Sequence, residues 1–425
     1  MKNKEKKLNL LILALSFLFF FVYSYTSYFV WMSEAMSLKQ VIFNWPDANA
    51  NYFFTQLFAE QGKLFWYEPL NLLTDNLFHT RSINVIDGSL VPIIFLPAIV
   101  IFGVFAKLLG SVGVLFLTPF LAALSGYIIY RLTYYIFKDL DIAFWTAVLF
   151  LSLAPWIFFA NVVMLPTVLF IFLVLVGWLA IAKSLQSPNN LWWILGSLFL
   201  SLALVVRPTE VIWMALLWIF VIYLNKKKLN YKRCLEGLLI FLAVLFAFLS
   251  FNKLTYGGFL SLGYFNLQSG QLDSELNSSS GSTFNSIKLL IAPFGFDLIL
   301  IIKNFYKYFI EITLVQFLLA IAGSVYLLTK ENISFVWKKY LLLTPFIFIL
   351  VLLYYGSWDL ADPLVKELNK ISISYVRYFM PLYIWILPLI ALALKEIFWK
   401  NKKLKYVFPV LIILIFIISF KISFY

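Results

Sequence analysis

The chain has 425 residues, of which 63% are hydrophobic, 20% aromatic and only 12% charged, with a mean hydropathy of +0.92. These values lie far outside the range of a soluble globular domain, so the sequence predicts a protein whose solvent is lipid. The formal net charge of +13 would suit a nucleic-acid-binding protein. However, the basic residues form short clusters at the ends of apolar runs, which is typical of membrane-protein loops, and no nucleic acid partner is expected.

Two residue types that often carry chemistry occur once each. A single cysteine, Cys234, excludes disulfides within the chain, and a single histidine, His79, excludes a histidine-rich metal site. Carboxylates are present without the spacing of a metal-binding motif. The sequence therefore assigns no metal ligand, and a divalent metal remains open as a cofactor.

Ten apolar runs approach or exceed the roughly 20 helical residues that cross a hydrocarbon core. The run 142–182 is long enough for two helices, with the turn expected at Asn161 to Pro166. The first run is too long for the apolar part of a cleaved signal peptide, so we expect a retained anchor. We predict an all-α integral membrane protein with about eleven transmembrane helices. The runs are 8–30, 112–130, 142–182, 191–206, 211–224, 237–251, 312–329, 340–358, 378–394 and 406–420.

The distribution of basic residues predicts the orientation of these helices. We place the N-terminus in the cytoplasm and the stretch 91–109 in the outer interface, where Pro92, Pro97 and Gly103 suit an interrupted helix. If 91–109 spanned instead, the lysines at 226–228 would face outward, against the positive-inside rule. The expected location is the cytoplasmic membrane. The predicted cytoplasmic segments, with 20 of the 33 Lys and Arg residues, are 1–7, 131–141, 183–190, 225–236, 330–339 and 395–405.

Three outer segments are large, namely 31–111, 253–311 and 357–377, within a single polytopic domain that covers 1–425. Loops of this size are where a membrane enzyme carries its chemistry, and the first is expected to contain interfacial helices. We find no internal sequence repeat of the kind that marks the paired halves of many secondary transporters.

Motifs in these outer segments follow a consistent order. They are Asn44-Trp45-Pro46-Asp47, Glu68-Pro69-Leu70, His79-Thr80-Arg81-Ser82, Val91-Pro92, Tyr256-Gly257-Gly258, Gly263-Tyr264 and Arg377-Tyr378 with Pro381. Together with the helix pattern, this order resembles the C superfamily of membrane glycosyltransferases over most of the chain. The nearest resemblance is to the family 39 group, which includes the protein O-mannosyltransferases and the aminoarabinose transferases.

The resemblance implies a site on the outer face of the membrane. In that family an acid of the first outer loop lies beside the anomeric carbon of a sugar carried by a polyprenyl phosphate or diphosphate. The resemblance gives this role to Asp47. The sequence departs from the family at two points, because Ala48 stands where a Glu often follows the Asp, and Asn161 stands where a second acid is common. These departures do not support a two-carboxylate metal site.

Sugar transfer to a hydroxyl needs a base and fixed cations. Asp47 is the candidate base, or alternatively an N-cap of a helix over 48–60. Charge grows on the phosphate leaving group, so Arg377, Arg207 and Arg81 are candidate donor-binding cations, although each could be a snorkelling anchor. Further candidate substrate-binding residues, with simpler interpretations as polar loop or interface-belt residues, are Glu60, His79, Tyr256, Tyr264 and Tyr378.

The sequence thus predicts a glycosyltransferase that moves a sugar from a polyprenyl-phosphate-linked donor to a glycan, lipid or protein acceptor. The main rival interpretation is a transporter or a lipid-linked sugar flippase. Such a protein is expected to carry charged groups inside its spans, and the predicted spans have few. Two further candidates are a membrane scaffold and a polysaccharide polymerase or ligase, which would use a diphosphate-linked oligosaccharide.

Overall fold

The computed structural model describes residues 2–28, 43, 45–187, 189–226, 229, 231–261, 294–359, 375–400, 403–404 and 406–424. In this part of the chain the fold is helical apart from one small sheet. The first half contains α1 (Lys2–Thr26), α2 (Pro46–Gln61), β1 (Trp66–Tyr67), α3 (Leu70–Leu73), β2 (Ile83–Ile86), β3 (Ser89–Pro92), α4 (Leu96–Gly113), α5 (Leu117–Phe137), α6 (Leu140–Leu151), α7 (Ala154–Asn161) and α8 (Pro166–Ser184). The second half contains α9 (Leu191–Val206), α10 (Val211–Leu224), α11 (Tyr231–Tyr256), α12 (Leu298–Phe305), α13 (Ile312–Thr329), α14 (Phe335–Tyr355), α15 (Val376–Ala393) and α16 (Val407–Phe424).

Helix length and composition bear out a polytopic membrane protein. Among the described residues, seven helical segments are long and apolar enough to cross a membrane, or up to nine if each of two bent helix pairs is one span. The predicted turn within 142–182 is confirmed, because α7 ends at Asn161 and α8 begins at Pro166. The expected number of eleven differs in two places. Helices α9 and α10 form one bent pair, and α16 is shorter than the other candidates.

Helices α4 and α5 form one helical run, Leu96–Phe137, of 42 residues. At 1.5 Å per residue this run is about 63 Å long, roughly twice the thickness of a hydrocarbon core. It breaks at Gly110, whose φ of 78° and ψ of 172° suit only glycine. The stretch 91–109 therefore adds no separate candidate span, and its position in the interface stays a prediction.

A three-stranded antiparallel sheet lies between α2 and α4, in the order β1-β3-β2. The sequence analysis did not predict it. Strands β2 and β3 are joined by Asp87 and Gly88, which both have positive φ, 47° and 78°. This is the two-residue hairpin that Asp-Gly favours. A Cβ at Gly88 would lie 3.1 Å from the Tyr67 ring and 3.2 Å from Leu72, so the turn also needs the small residue for space.

This first-loop module, residues 45–113, has a core of its own. Buried apolar residues of α2, the sheet and α4 form a cluster that is separate from the main helical core. Tyr256, at the end of α11, is part of this cluster, and its hydroxyl donates to the carbonyl oxygen of Pro92 at 2.7 Å. The cluster consists of Ala50, Phe54, Leu57, Leu64, Ile83, Val91, Leu96, Ile99 and Tyr256.

The six segments predicted to be cytoplasmic meet at one end of the helical bundle, which we call the basic end. Their contacts bear out that these segments lie together, whereas the side of the membrane that they face stays a prediction. The contacts join Lys4 to Asp141 (2.8 Å), Lys395 to Asp139, Lys138 to Gln186 (2.7 Å), Asn190 to Glu236 (2.7 Å) and the stacked rings of Phe137 and Trp337 (4.0 Å between centroids).

Small residues let the helices of the main core approach closely. A Cβ at Gly323 of α13 would lie 2.2 Å from the carbonyl oxygen of Leu389 in α15. A Cβ at Gly196 of α9 would lie 3.1 Å from the carbonyl oxygen of Gly177 in α8. Lipid supplies no hydrophobic force between helices, so such close contacts are how membrane helices gain packing energy.

Asp139 links three helices at the basic end. Its Oδ1 accepts from the backbone N–H groups of Asp141 (3.0 Å) and Ile142 (3.1 Å) and so caps α6, while Oδ2 accepts from Lys395. Burial alone would raise the pKa of this carboxyl, but the hydrogen bond from Lys395 and the two backbone donors lower the pKa below its ordinary value.

We expect stability to depend on this carboxylate in acid. Because the folded-state pKa is depressed, the stabilisation is present above the ordinary carboxyl pKa, about 4, and is lost as pH falls through the lower folded value. Asp139→Ala should cost about 1 to 2 kcal/mol at pH 7, and Asp139→Asn, which keeps a capping oxygen, should cost less. Thermal unfolding in detergent between pH 7 and pH 3 checks this. Equal acid sensitivity of the wild type and Asp139→Asn would contradict it.

Candidate functional site

The predicted site residues lie at the end of the bundle opposite the basic end, which we call the site end. Two contacts with the start of α8 show this. Asn51 of α2 donates its amide to the carbonyl oxygen of Met164 at 2.8 Å, just before α8 begins. The Arg207 guanidinium lies 5.3 Å from the ring centroid of Phe170, in the second turn of α8. The first-loop module and the α9–α10 bend therefore meet the same helix end.

Asp47 lies in the first turn of α2, after Pro46, and is partly exposed. It is not the N-cap, because that position belongs to Trp45, whose side chain makes no capping hydrogen bond. Instead, the hydroxyl of Ser82 donates to Asp47 Oδ1. Ser82 has a φ of 70°, a left-handed conformation that is uncommon for serine. The fold thus brings the predicted segment 79–82, with His79 and Arg81, beside Asp47.

The start of α2 also lies against the turn between α7 and α8. The Trp45 ring packs edge-on against Phe158, with 6.2 Å between centroids. Asn161 is fully buried at this turn, where its Oδ1 accepts from the Thr26 hydroxyl at 2.7 Å. Its Nδ2 has no hydrogen-bond partner among the described residues. The two positions that the resemblance pairs, Asp47 and Asn161, therefore belong to neighbouring segments.

A buried ion pair occupies the 116° bend between α9 and α10. Arg207 Nη2 lies 2.8 Å from Glu210 Oε1, with side-chain exposures of 7% and 0%. Trp213 Nε1 donates to Glu210 Oε2 at 2.5 Å, and the Tyr355 hydroxyl lies 3.4 Å from Oε1. The carboxylate is therefore satisfied by three donors. Arg207 Nη1, in contrast, is buried and has no hydrogen-bond partner in the part of the chain that the structure describes.

Tyr378 brings the two arginines together. The guanidinium carbons of Arg207 and Arg377 each lie 5.2 Å from its ring centroid, and Arg377 Nη2 lies 3.3 Å from its hydroxyl oxygen. Arginine and tyrosine attract through the ring quadrupole, and this attraction is strongest where water is excluded. Two cations from distant parts of the sequence thus face one aromatic ring at the site end.

The start of α15 is fixed by buried polar contacts. The Tyr375 hydroxyl donates to the carbonyl oxygen of Tyr355, and Asn304 donates to the Gly356 carbonyl oxygen at 2.8 Å and to Tyr375 at 3.2 Å. Burial raises the pKa of the Tyr375 hydroxyl well above its ordinary value, so the group stays a neutral donor. These contacts hold Arg377 and Tyr378 on a rigid helix end.

Other predicted residues lie elsewhere. Glu60 is exposed in the last turn of α2, which at 1.5 Å per residue is about 20 Å from Asp47. It lines a groove of about 500 Å³ that also contains Lys107. Tyr256 is buried in the core of the first-loop module, and Tyr264 is outside the described residues. The binding roles of these residues stay predictions.

The arrangement provides a carboxylate and a phosphate-binding pair of guanidinium groups. No group of three His, Cys, Asp or Glu residues that could hold a metal ion occurs within the described ranges. Arginine binds phosphate oxygens through two parallel N–H donors, and the buried Nη1 of Arg207 is a donor of this kind.

Glu210, Tyr355 and Ser82 were missed by the sequence analysis. A signal for Glu210 exists, because Arg207-Pro208-Thr209-Glu210 is a charged pair inside a long apolar stretch, and an ionisable pair at membrane depth is a functional-site hypothesis by default. Tyr355 and Ser82 are recognised only by contacts between segments distant in sequence.

We expect the ion pair to be essential for stability. Glu210→Ala leaves the Arg207 charge buried and unpaired, which should cost about 3 to 5 kcal/mol, whereas the double variant Arg207→Leu, Glu210→Leu should recover most of the loss. Thermal unfolding in detergent measures both. Glu331→Ala, at an exposed acid of the basic end, is the matched control. A loss for Glu210→Ala no larger than that of the control would refute the prediction.

Comparisons of the chain with models of known protein families and with curated proteins found no match.

Proposed function

We propose that this protein is a membrane glycosyltransferase that moves a sugar from a polyprenyl-phosphate-linked donor to an acceptor. The observation that supports it most is the pairing of Arg207 and Arg377 against Tyr378, with a buried Arg207 N–H group that lacks a partner among the described residues. The proposal also draws on the resemblance of the outer-loop motifs to the C superfamily of membrane glycosyltransferases.

The two arginines would hold the phosphate of the donor. As the glycosidic bond to phosphate breaks, negative charge grows on the phosphate oxygens, and fixed cations in a water-poor site stabilise this change. The apolar helices around Arg207 would accommodate the polyprenyl chain. Tyr378 fixes the direction of both guanidinium groups, so little reorganisation is needed when the donor binds.

Asp47 would act as the base. The acceptor hydroxyl oxygen forms a bond to the anomeric carbon while the bond from that carbon to the phosphate oxygen breaks, and the hydroxyl proton passes to the Asp47 carboxylate. The hydrogen bond from Ser82 orients this carboxylate. The first-loop module would bind the acceptor, with Arg81 and His79 close to Asp47.

The proposed location is the cytoplasmic membrane, with the N-terminus and the basic end in the cytoplasm and the site end outside. The clustering of six basic segments at one end supports this orientation through the positive-inside rule.

A transporter or flippase for lipid-linked sugar is the second candidate. One observation favours it. The bent pair α9–α10 carries a buried ion pair, and transporters often bind their substrates at broken helices with charged groups inside the bundle.

Asp47→Asn should lower sugar transfer by about 100-fold or more, since a positioned general base contributes 10² to 10⁴ in rate. The measurement is the sugar composition of the cell envelope in a strain that lacks the gene and carries each variant. Asp87→Asn is the matched control, because Asp87 is an exposed acid of the same module whose turn conformation suits Asn equally. Full transfer by Asp47→Asn, at normal protein level in the membrane, would refute the proposed mechanism.

The same strain separates the two candidate functions. Loss of a transferase should leave lipid-linked sugar on the outer leaflet, where periodate, which does not cross the membrane, oxidises it in intact cells. Loss of a flippase should leave that lipid protected inside.

A further inference from the structure

A cavity of about 330 Å³ lies at the basic end, away from the site end. It is lined by Tyr135, Lys183, Gln186, Ser187 and Trp192, which belong to the end of α5, the end of α8 and the start of α9. Since a water molecule occupies about 30 Å³, the cavity has room for roughly ten waters or one small polar group of that size.

Three cations surround Tyr135 at this cavity. Lys138 Nζ lies 5.0 Å from the ring centroid, the Arg131 guanidinium carbon 5.7 Å and Lys183 Nζ 5.9 Å. Lys183 also lies over the Trp192 ring, 4.1 Å from its centroid. The aromatic rings hold the cations at the cavity without neutralising them, because a ring quadrupole carries no net charge.

The nearby carboxylates do not balance these cations. Glu5 lies 3.5 Å from Arg131, and the carboxylates of Asp139 and Asp141 are paired with Lys395 and Lys4. Lys183 has no carboxylate within 4 Å in the part of the chain that the structure describes.

Gln186 completes the polar lining. Its Oε1 accepts from Lys138 at 2.7 Å, and its Nε2 donates to the carbonyl oxygen of Tyr135 at 3.3 Å. Arg233 Nη1 lies 3.5 Å from the carbonyl oxygen of Ser184 and adds a fourth cation beside the cavity. The cavity thus offers donors and positive charge, which is the chemistry that recognises a phosphate.

We propose that this cavity binds the phosphate of an anionic phospholipid headgroup. It lies where three helices end, which is headgroup depth for spanning helices, and Trp192 and Tyr135 are residues that favour this depth. Basic pockets between membrane helices bind anionic headgroups through the same charges. The proposal does not depend on the proposed glycosyltransferase function.

The test uses the full-length protein in a zwitterionic detergent and follows its unfolding temperature by tryptophan fluorescence. The probes are dihexanoyl phosphatidylglycerol, dihexanoyl phosphatidylcholine and sn-glycerol 3-phosphate. We expect saturable stabilisation by phosphatidylglycerol and none by phosphatidylcholine. Lys183→Gln and Lys138→Gln should each weaken the apparent affinity about five-fold, the usual contribution of one cation at an anionic surface.

Lys253→Gln is the matched control, because Lys253 also lies over an aromatic ring, that of Phe259 at 4.8 Å, but at the opposite end of the bundle. Lys138 is exposed, so its variant tests the proposal even if Lys183→Gln fails to fold. Equal binding of glycerol phosphate and phosphatidylglycerol would overturn the lipid assignment in favour of a soluble phosphate. Equal stabilisation by phosphatidylcholine, or equal affinity in Lys138→Gln and Lys253→Gln, would overturn the proposal as a whole.

Discussion

The buried ion pair between Arg207 and Glu210 is the contact on which the site end depends. Two charges inside an apolar bundle are tolerated only when they are paired and hydrogen-bonded, because desolvation of each is costly. Pro208 and the 116° bend end α9 and bring the pair together within one turn. Around it the rings of Phe170, Trp213, Tyr355 and Tyr378 connect α8, α10, α14 and α15.

The two ends of the bundle use their cations differently. At the basic end, carboxylates and aromatic rings surround the lysines, and Asp139 joins a helix cap to an ion pair. At the site end, Arg207 shares its charge with Glu210 but retains a buried N–H group without a partner among the described residues. A buried donor of this kind is costly unless an acceptor reaches it, which is why we assign it to an anionic ligand. The opposite location of Asp47 and the lysine clusters follows from helix alternation.

Much of the fold could be predicted from sequence because lipid imposes strong constraints. Apolar runs of sufficient length gave the helices, and the turn at Asn161 to Pro166 followed from the length of one run. The sheet could not be predicted this way, since its strands are two to four residues long and carry no distinct periodicity. The bent pair α9–α10 was taken as two spans because each half is apolar, and only the contacts of Glu210 reveal the bend as a buried polar site.

The candidate site was predictable in part. Arg207 and Arg377 stood out as isolated cations beside apolar helices, but their approach to Tyr378 depends on the packing of α9 and α15, which sequence spacing does not encode. Asp47 was singled out by resemblance, and its contact with Ser82 depends on a left-handed residue in a loop. Glu60, in the same loop, lies far from Asp47 because a straight helix separates the two residues.

The central claim is that the site end holds a lipid-linked phosphate. Native mass spectrometry of the protein gently extracted from its own membrane tests it most directly, with Arg377→Ala as the comparison. The account predicts a co-purified polyprenyl phosphate or its glycoside on the wild-type protein and its loss from the variant. Absence of such a lipid from both proteins, each still folded, would contradict the account and favour the transporter.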